Sequence, residues 1–508
     1  METWFIVILS LCFAALAKPL LSLISPRRIP PGPISLPFIS DLFWVRKSFT
    51  DLEQILRGLH AKYGPLVTLR HGGSSTVYIA SHSLAHQALV QSGAVFSDRP
   101  PVVGIVEKIT TANQRQINSA FYGPTWRFLR RNLTAEILHP SRVKSYSSTR
   151  RWVLEILLDR LREDGPIRPV GHFQYTMFCL LVLMCFGDRL EEQQIRKVEA
   201  VQRGLLMNIW RFEILNFWPR LGKLLFRQRW EDFLRLRSNQ EEVLIQLIKA
   251  RSESRMEKKH AEDGVVCYVD TLLNLELPEE KRKLTEDEMV SLCSEFLNAG
   301  TDTTSTALQW IMANITKYPA IQEKLFNEIM TVMSPDKAVV AEEDLQKLPY
   351  LKAVVLEGLR RHPPAHFVMT RLVAEDTELG GYLIPRNAKV NFMVAAMGWD
   401  PEVWKDPMAF RPDRFLSGNN GGGGVDGFDI TGSREIKMMP FGVGRRMCPG
   451  YTLALLHLEY FVANLVWRFE WKPVEGDQID LSEKEAFTVV MKNPLQAILT
   501  PRANCERE

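Results

Sequence analysis

One helix constrains this chain more than any other feature. Residues 285–318 open with Thr285 and Glu288 in a capping-box pattern and run without a breaker to Pro319. About 32 residues at 1.5 Å each make a helix ~48 Å long, which must cross the whole globule. Its centre, Ala299-Gly300-Thr301-Asp302-Thr303-Thr304-Ser305-Thr306, consists of poor helix formers whose hydroxyls compete for backbone hydrogen bonds. A strong helix weakened at its middle marks a place where function overrides local preference. A break or cap at Asp302 is the structural alternative.

The rest of the chain reads mainly as helix with a small β component, an α+β protein with one large helical domain. Alternating stretches at Val67–His71, Val77–Ala80 and Val390–Val394 supply the strands. Residues 204–226 mix Trp210, Phe212, Phe217 and Trp218 with Arg211, Arg220 and Lys223, which suits either a membrane surface or ordinary core. Residues 227–260 are charge-rich and read as an exposed helix without a special role. Four glycines at 421–424 lack a following Gly-Lys-Ser/Thr and read as a surface loop rather than a phosphate cradle.

The N-terminus does not belong to a plain globule. Residues 4–17 are apolar except Ser10, and residues 20–24 extend the run, so that about 22 helical residues could cross a bilayer. Ala15-Leu16-Ala17 would also fit a signal-peptide cleavage site. Glu2 precedes the run and Lys18, Arg27 and Arg28 follow it, which favours a retained anchor with the bulk of the chain on the cytoplasmic side. The expected organisation is an anchor at 1–25, a basic, proline-rich hinge at 26–40 built on Pro30-Pro31-Gly32-Pro33, and a catalytic domain at 41–508. On this reading the sequons at Asn132 and Asn314 are chance matches. The 508 residues carry 63 Lys+Arg against 59 Asp+Glu, a net charge of +4 with no basic tract, which argues against nucleic-acid binding. Seven cysteines, odd in number and without paired spacing, argue against a disulfide framework.

The most specific local pattern is Phe441-Gly-Val-Gly444-Arg-Arg446-Met-Cys448-Pro449-Gly450. The glycines allow a tight turn and a close approach. Pro449 is suited to the first position of a helix, on which Leu453, Leu456, Tyr460 and Ala463 follow at 3-4-3 spacing. Cys448 would then lie at a helix N-terminus, where unpaired N–H groups favour a thiolate. The loop supplies what a metal-bound or nucleophilic thiolate needs.

This pattern resembles the haem-thiolate loop of cytochrome P450 monooxygenases, with Phe441, Gly444, Arg446, Cys448 and Gly450 in register. The resemblance implies haem b as cofactor, Cys448 as the axial ligand of its iron and Arg446 as partner of a haem propionate. Asp302 and Thr303 resemble the family's acid–alcohol pair, which delivers protons for O–O cleavage. Glu357 and Arg360, one turn apart, followed by Phe410-Arg-Pro-Asp-Arg414-Phe415, resemble its buried Glu–Arg–Arg network, with Arg414 as third member. Trp126 and Arg130 match the pair that holds a propionate. Arg371 lies where another propionate partner is often found, although Thr370 stands in place of the usual preceding proline. All these elements occur in the family's order along essentially the whole chain. Glu-Gly-Leu-Arg-Arg-His-Pro-Pro and Met-Met-Pro-Phe-Gly point to the plant microsomal type and its eighty-nine-A subfamily.

The resemblance implies a single-pass enzyme of the endoplasmic reticulum membrane that inserts one oxygen atom from O₂ into a small molecule. The chain has no flavin or nicotinamide pattern, so electrons would come from NADPH through cytochrome P450 reductase, with Arg127, Arg131, Lys437 and Arg445 as part of a basic docking face. Substrate walls are expected from residues 99–122, 204–226, 296–300, 365–368 and 487–491. Phe296, Leu297, Phe367, Val368, Phe487, Val489 and Val490 there suit an apolar plant metabolite. A P450-fold isomerase or dehydratase, or a non-enzymatic haem binder, are the alternatives. Neither would need the acid–alcohol pair.

Overall fold

The computed structural model describes residues 29–33, 49–71, 74–162, 165–217, 219–257, 265–334, 337–416 and 424–502. The anchor, most of the hinge and residues 421–423 of the glycine run lie outside them. Among the described residues, no helix is long and apolar enough to cross a membrane. The chain divides into two units, one of residues 1–100, 366–404 and 429–447, the other of residues 101–365, 405–428 and 448–508.

The first unit is built on a four-stranded sheet. Helix α1 (Phe49–Tyr63) precedes β1 (Leu66–His71) and β2 (Ser74–Ile79); β3 (Arg371–Leu372) and β4 (Lys389–Phe392) complete the order β1-β2-β4-β3. β2 and β4 run parallel, with Val77 opposite Val390, and the other pairs are antiparallel. Alternation decides the faces. Leu66, Val77, Ile79, Val390 and Phe392 pack with Leu89, Phe96 and Val443, whereas Val67, Leu69 and Tyr78 pack with Leu56 of α1. The third expected strand ends at Phe392 rather than Val394, because Val394 starts the short helix Val394–Gly398. The hinge prolines are more than a spacer: the carbonyls of Pro30 and Pro31 accept from the hydroxyl and the N–H of Thr68, each at 2.8 Å. Gly32 is required there, since a Cβ would stand 1.9 Å from the Thr68 carbonyl oxygen.

The second unit is helical. Its main members are α2 (Pro124–Glu136), α3 (Val170–Phe186), α4 (Glu192–Phe212), α5 (Arg227–Glu257), α6 (Glu286–Lys317), α7 (Pro349–Arg361) and α8 (Tyr451–Arg468). α3 is apolar on nearly every side and buried from Tyr175 to Phe186, so it serves as core against which α6 lies. Gly300 permits that approach: a Cβ would meet Leu181 Cδ1 at 2.7 Å. Gly358 does the same for α7, where a Cβ would stand 2.4 Å from Ile311 Cγ1.

α6 has the length and the capping box expected of it, with the Glu288 N–H donating to Thr285 Oγ1 at 3.2 Å and the Thr285 N–H to Glu288 Oε2 at 2.8 Å. It does not break at Asp302. Thr301, Thr303 and Ser305 turn their hydroxyls back onto the carbonyls of Leu297, Ala299 and Thr301, so these three hydroxyls are satisfied within the helix. The sequon at Asn314 is buried, its amide donating to the Trp310 carbonyl.

α5 is not the uniformly exposed helix that its charges suggest. Arg237 and Gln240 are buried, with Arg237 donating to Glu241, Gln240, Asp287 and Ser291. Phe233 and Leu244 give α5 an apolar stripe that its many charges mask in the sequence.

Candidate active site

The loop ahead of α8 is shaped by its glycines. Gly442 and Gly444 have φ of 66° and 77°, in the left-handed region. At Gly444 a Cβ would stand 2.1 Å from the Leu89 carbonyl oxygen, so the backbone approach itself excludes any side chain. Arg446 is buried in the same unit and donates from Nε to the Ser97 carbonyl at 2.9 Å. Phe441 is half-buried beside them. Arg371, on β3, is 2% exposed.

α8 starts later than expected. Its N-cap is Gly450, so Pro449 and Cys448 precede the cap instead of opening the helix. The tight turn at 447–450 uses the residues that would otherwise form the first helical turn. Burial pushes the Cys448 thiol up, while the Gly450 N–H and the charge of Arg130 act in the other direction. The sequence argument for a spontaneous thiolate therefore loses to desolvation. A metal cation reverses this, because a coordinating thiol is deprotonated outright. Cys179, Cys185, Cys267 and Cys293 are each 0–1% exposed, whereas Cys448 is the one half-buried residue among the described cysteines. A half-buried cysteine directly after backbone that tolerates no side chain at Gly444, and acted on by the half-buried Arg130 guanidinium, fits a thiolate-ligated prosthetic group.

Arg130 and Trp126 both lie on α2. Burial lowers the pKa of Arg130, opposed by Cys448 and Glu295. Trp126 is buried, but its indole N–H donates to the Ile117 carbonyl at 3.1 Å. The indole offers a single donor. Arg130, one turn on, carries a guanidinium, whose fork of donors suits a carboxylate.

On α6, Asp302 is 7% exposed, and its Oδ1 accepts from Nη1 of Arg203 on α4 at 2.9 Å. Burial raises its pKa and Arg203 opposes the rise. The Thr303 hydroxyl donates to the Ala299 carbonyl at 2.6 Å. Glu357 and Arg360 are both buried and meet in a fork, Nε to Oε2 at 2.7 Å and Nη2 to Oε1 at 2.8 Å. Arg414 Nε reaches Glu357 at 3.2 Å, and the Arg411 N–H donates to its Oε1 at 2.7 Å. Arg127, Arg131 and Arg445 are exposed, and Lys437 is half-buried.

Arg203, Glu295 and Arg99 carry no local signal in the sequence. Arg99 is buried and donates to the carbonyls of Met369 and Thr370 at 2.6 and 2.9 Å, directly before Arg371.

The family model described as Cytochrome P450 matches residues 30–500. Cytochrome P450 89A9 of Arabidopsis thaliana is 51% identical over 514 residues, covering 98% of each chain. The 5-epiaristolochene 1,3-dihydroxylase of Nicotiana tabacum is 30% identical, over 94% of this chain and 93% of its own. A zebra fish cytochrome P450 structure with progesterone superposes with a TM-score of 0.73 at 22% identity, over 89% of this chain and 99% of that one, a likeness of fold. The chain belongs to the cytochrome P450 family, as a plant enzyme of the 89A type.

Proposed function

We propose that this monooxygenase takes electrons from NADPH through cytochrome P450 reductase and inserts one atom of O₂ into a largely apolar small plant metabolite. Residues 1–25 would anchor it in the endoplasmic reticulum membrane and residues 26–40 form the hinge, with the catalytic domain 41–508 in the cytoplasm. The observation that carries the reading is Cys448, half-buried where the other described cysteines are fully buried, directly after a loop that Gly444 holds against Leu89. The plant relative at 51% identity supports it, as does one named for dihydroxylation of 5-epiaristolochene. Phe487, apolar and 43% exposed beside the buried Thr488 and Val489, supports an apolar substrate. Trp210, Leu221, Leu224 and Leu225 are exposed beside Arg211 and Lys223, which supports contact of this region with a membrane surface.

Haem is the family's prosthetic group, held through a cysteine thiolate, and when bound it supplies O₂ activation. Cys448 Sγ would hold its iron. Arg446, Arg130 and Arg371 would hold the propionates, with guanidinium geometry suited to carboxylates. Phe441 and Gly450 would border the ligand, and the Gly450 N–H bonds the sulphur.

Asp302 is a buried carboxyl whose charge is balanced by Arg203, so it can hold a proton or release it at modest cost. Thr303 Oγ1 donates within its helix and keeps lone pairs to accept a hydrogen bond. Together they would pass protons at these two oxygens during O–O cleavage. Glu357, Arg360 and Arg414 would stabilise the fold around the site.

The test is the absorbance of the reduced, CO-bound protein, followed by turnover of candidate metabolites with and without reductase. A thiolate-type Soret band and reductase-dependent products are expected. Absence of that band would overturn the reading, and product formed without reductase would indicate an isomerase or dehydratase.

A further inference from the structure

α6 binds two other chain segments through side chains placed on either side of Asp302. On the N-terminal side, Glu295 accepts from two consecutive amides, the Ile117 N–H on Oε2 at 2.9 Å and the Asn118 N–H on Oε1 at 2.7 Å. Gln116 Nε2 adds a bond to the Ser291 carbonyl at 3.0 Å. This segment is a succession of turns in which Ala112, Asn113 and Gln114 have φ of 48°, 55° and 68°. It has no helix or strand ladder to define its position, and a carboxylate bonding two amides does for it what a cap does for a helix end.

On the C-terminal side, the hydroxyls of Thr306 and Thr488 lie 2.8 Å apart, both buried. One turn further along α6 the Trp310 indole N–H donates to the Val489 carbonyl at 2.8 Å. Thr488 belongs to the turn between the strands Glu483–Glu485 and Val489–Met491, whose neighbouring residue Phe487 is exposed.

Glu295, Asp302 and Thr306 stand seven and four residues apart, and so on one stripe of α6. Along the axis that is about 10 Å and about 6 Å at 1.5 Å per residue. A small molecule that reaches Asp302 and Thr303 is therefore flanked by both held segments.

We propose that Glu295 and Thr306 are positioning residues: they fix residues 116–118 and 486–489 relative to Asp302 and Thr303, and so set which atom of a bound molecule faces the reacting position. The proposal rests on the monooxygenase reading above. Thr488 is the partner through which Thr306 acts.

The test uses the full-chain holoenzyme with Glu295→Ala, Glu295→Gln, Thr306→Val and Thr306→Ser. The probes are imidazole and 4-phenylimidazole, whose binding is read from the Soret difference spectrum. Imidazole is too small to depend on the flanking segments, and the phenyl ring is not. Glu295→Ala and Thr306→Val are expected to weaken 4-phenylimidazole roughly tenfold while imidazole changes by less than about twofold. Thr306→Ser keeps the hydroxyl and restores the parent ratio; Glu295→Gln keeps one acceptor oxygen and falls between. Amide exchange should rise over residues 112–120 in Glu295→Ala and over 486–491 in Thr306→Val. Unchanged ratios and exchange, or equal weakening of both azoles, would overturn the proposal. Should Glu295→Ala fail to fold, Glu295→Gln still carries the comparison, and should Thr306→Val fail, Thr488→Val cuts the same hydroxyl pair from the other side with the same expected tenfold loss. Failure of the haem-thiolate reading would show separately, as a parent protein without the CO band.

Discussion

Arg203 Nη1 and Asp302 Oδ1 lie 2.9 Å apart, joining the middle of α4 to the weakened centre of α6. The carboxylate is almost buried and the guanidinium keeps 29% of its side-chain surface. Burial raises the Asp302 pKa, and Arg203 counters it. Arg203→Met removes the counter-charge and leaves the desolvation, so the pKa should rise further. The limb of the pH–turnover profile that reports Asp302 ionisation should move to higher pH, with more O₂ consumed per product. Arg203→Lys should move it less. A profile that does not move would separate Asp302 from the proton path.

Glu357 accepts from Arg360, from Arg414 and from the Arg411 amide. Glu357→Gln leaves two guanidinium groups largely buried without their counter-charge, at a cost of about 3–5 kcal/mol. Denaturant unfolding should show this loss, accompanied by poor haem retention. Arg360→Lys should also be harmful, because an ammonium cannot reproduce the two parallel bonds. A change below about 1 kcal/mol in Glu357→Gln would mean that the network is dispensable.

What could be read from the sequence had local causes. The α6 boundaries follow from Thr285, Glu288 and Pro319, and the Glu357–Arg360 fork follows from one-turn spacing. Arg203 and Glu295 were invisible because their partners lie 99 and about 178 residues away, and only tertiary packing brings them together. The bond from the Trp126 indole to the Ile117 carbonyl is likewise marked by nothing local. Arg237 was hidden by its neighbours, since a charge-rich segment does not reveal which of its charges turns inward.

The two left-handed glycines of the cysteine loop should differ under substitution. At Gly444 a Cβ meets the Leu89 carbonyl oxygen at 2.1 Å, and a backbone atom cannot rotate away. At Gly442 the nearest atom is Val368 Cγ1 at 3.8 Å, an ordinary contact. Gly442→Ala should therefore cost only the conformational penalty, about 1–2 kcal/mol. Gly444→Ala carries the same penalty plus displacement of the loop, and should lose most of its haem. Haem-to-protein absorbance ratios and melting temperatures check the order. Equal effects would mean that the close approach to Leu89 is not what holds the loop.

Glu459 on α8 gives a stability prediction with a defined sign. Burial pushes its carboxyl from 4.5 up to about 7; Lys352 opposes the shift and Asp426 adds to it. Below pH 4.5 the group is protonated in both folded and unfolded chains and imposes no penalty. Between pH 4.5 and about 7 the unfolded chain ionises while the folded one keeps its proton, so stability falls as pH rises, and above about 7 the loss is complete. Glu459→Gln has no charge to bury. It should be more stable than the parent at pH 8, by about 3 kcal/mol, and equal to it at about pH 3.5, below the unfolded pKa. Unfolding at both pH values measures the difference directly. A gain of the same size at both would trace the effect to packing rather than to ionisation.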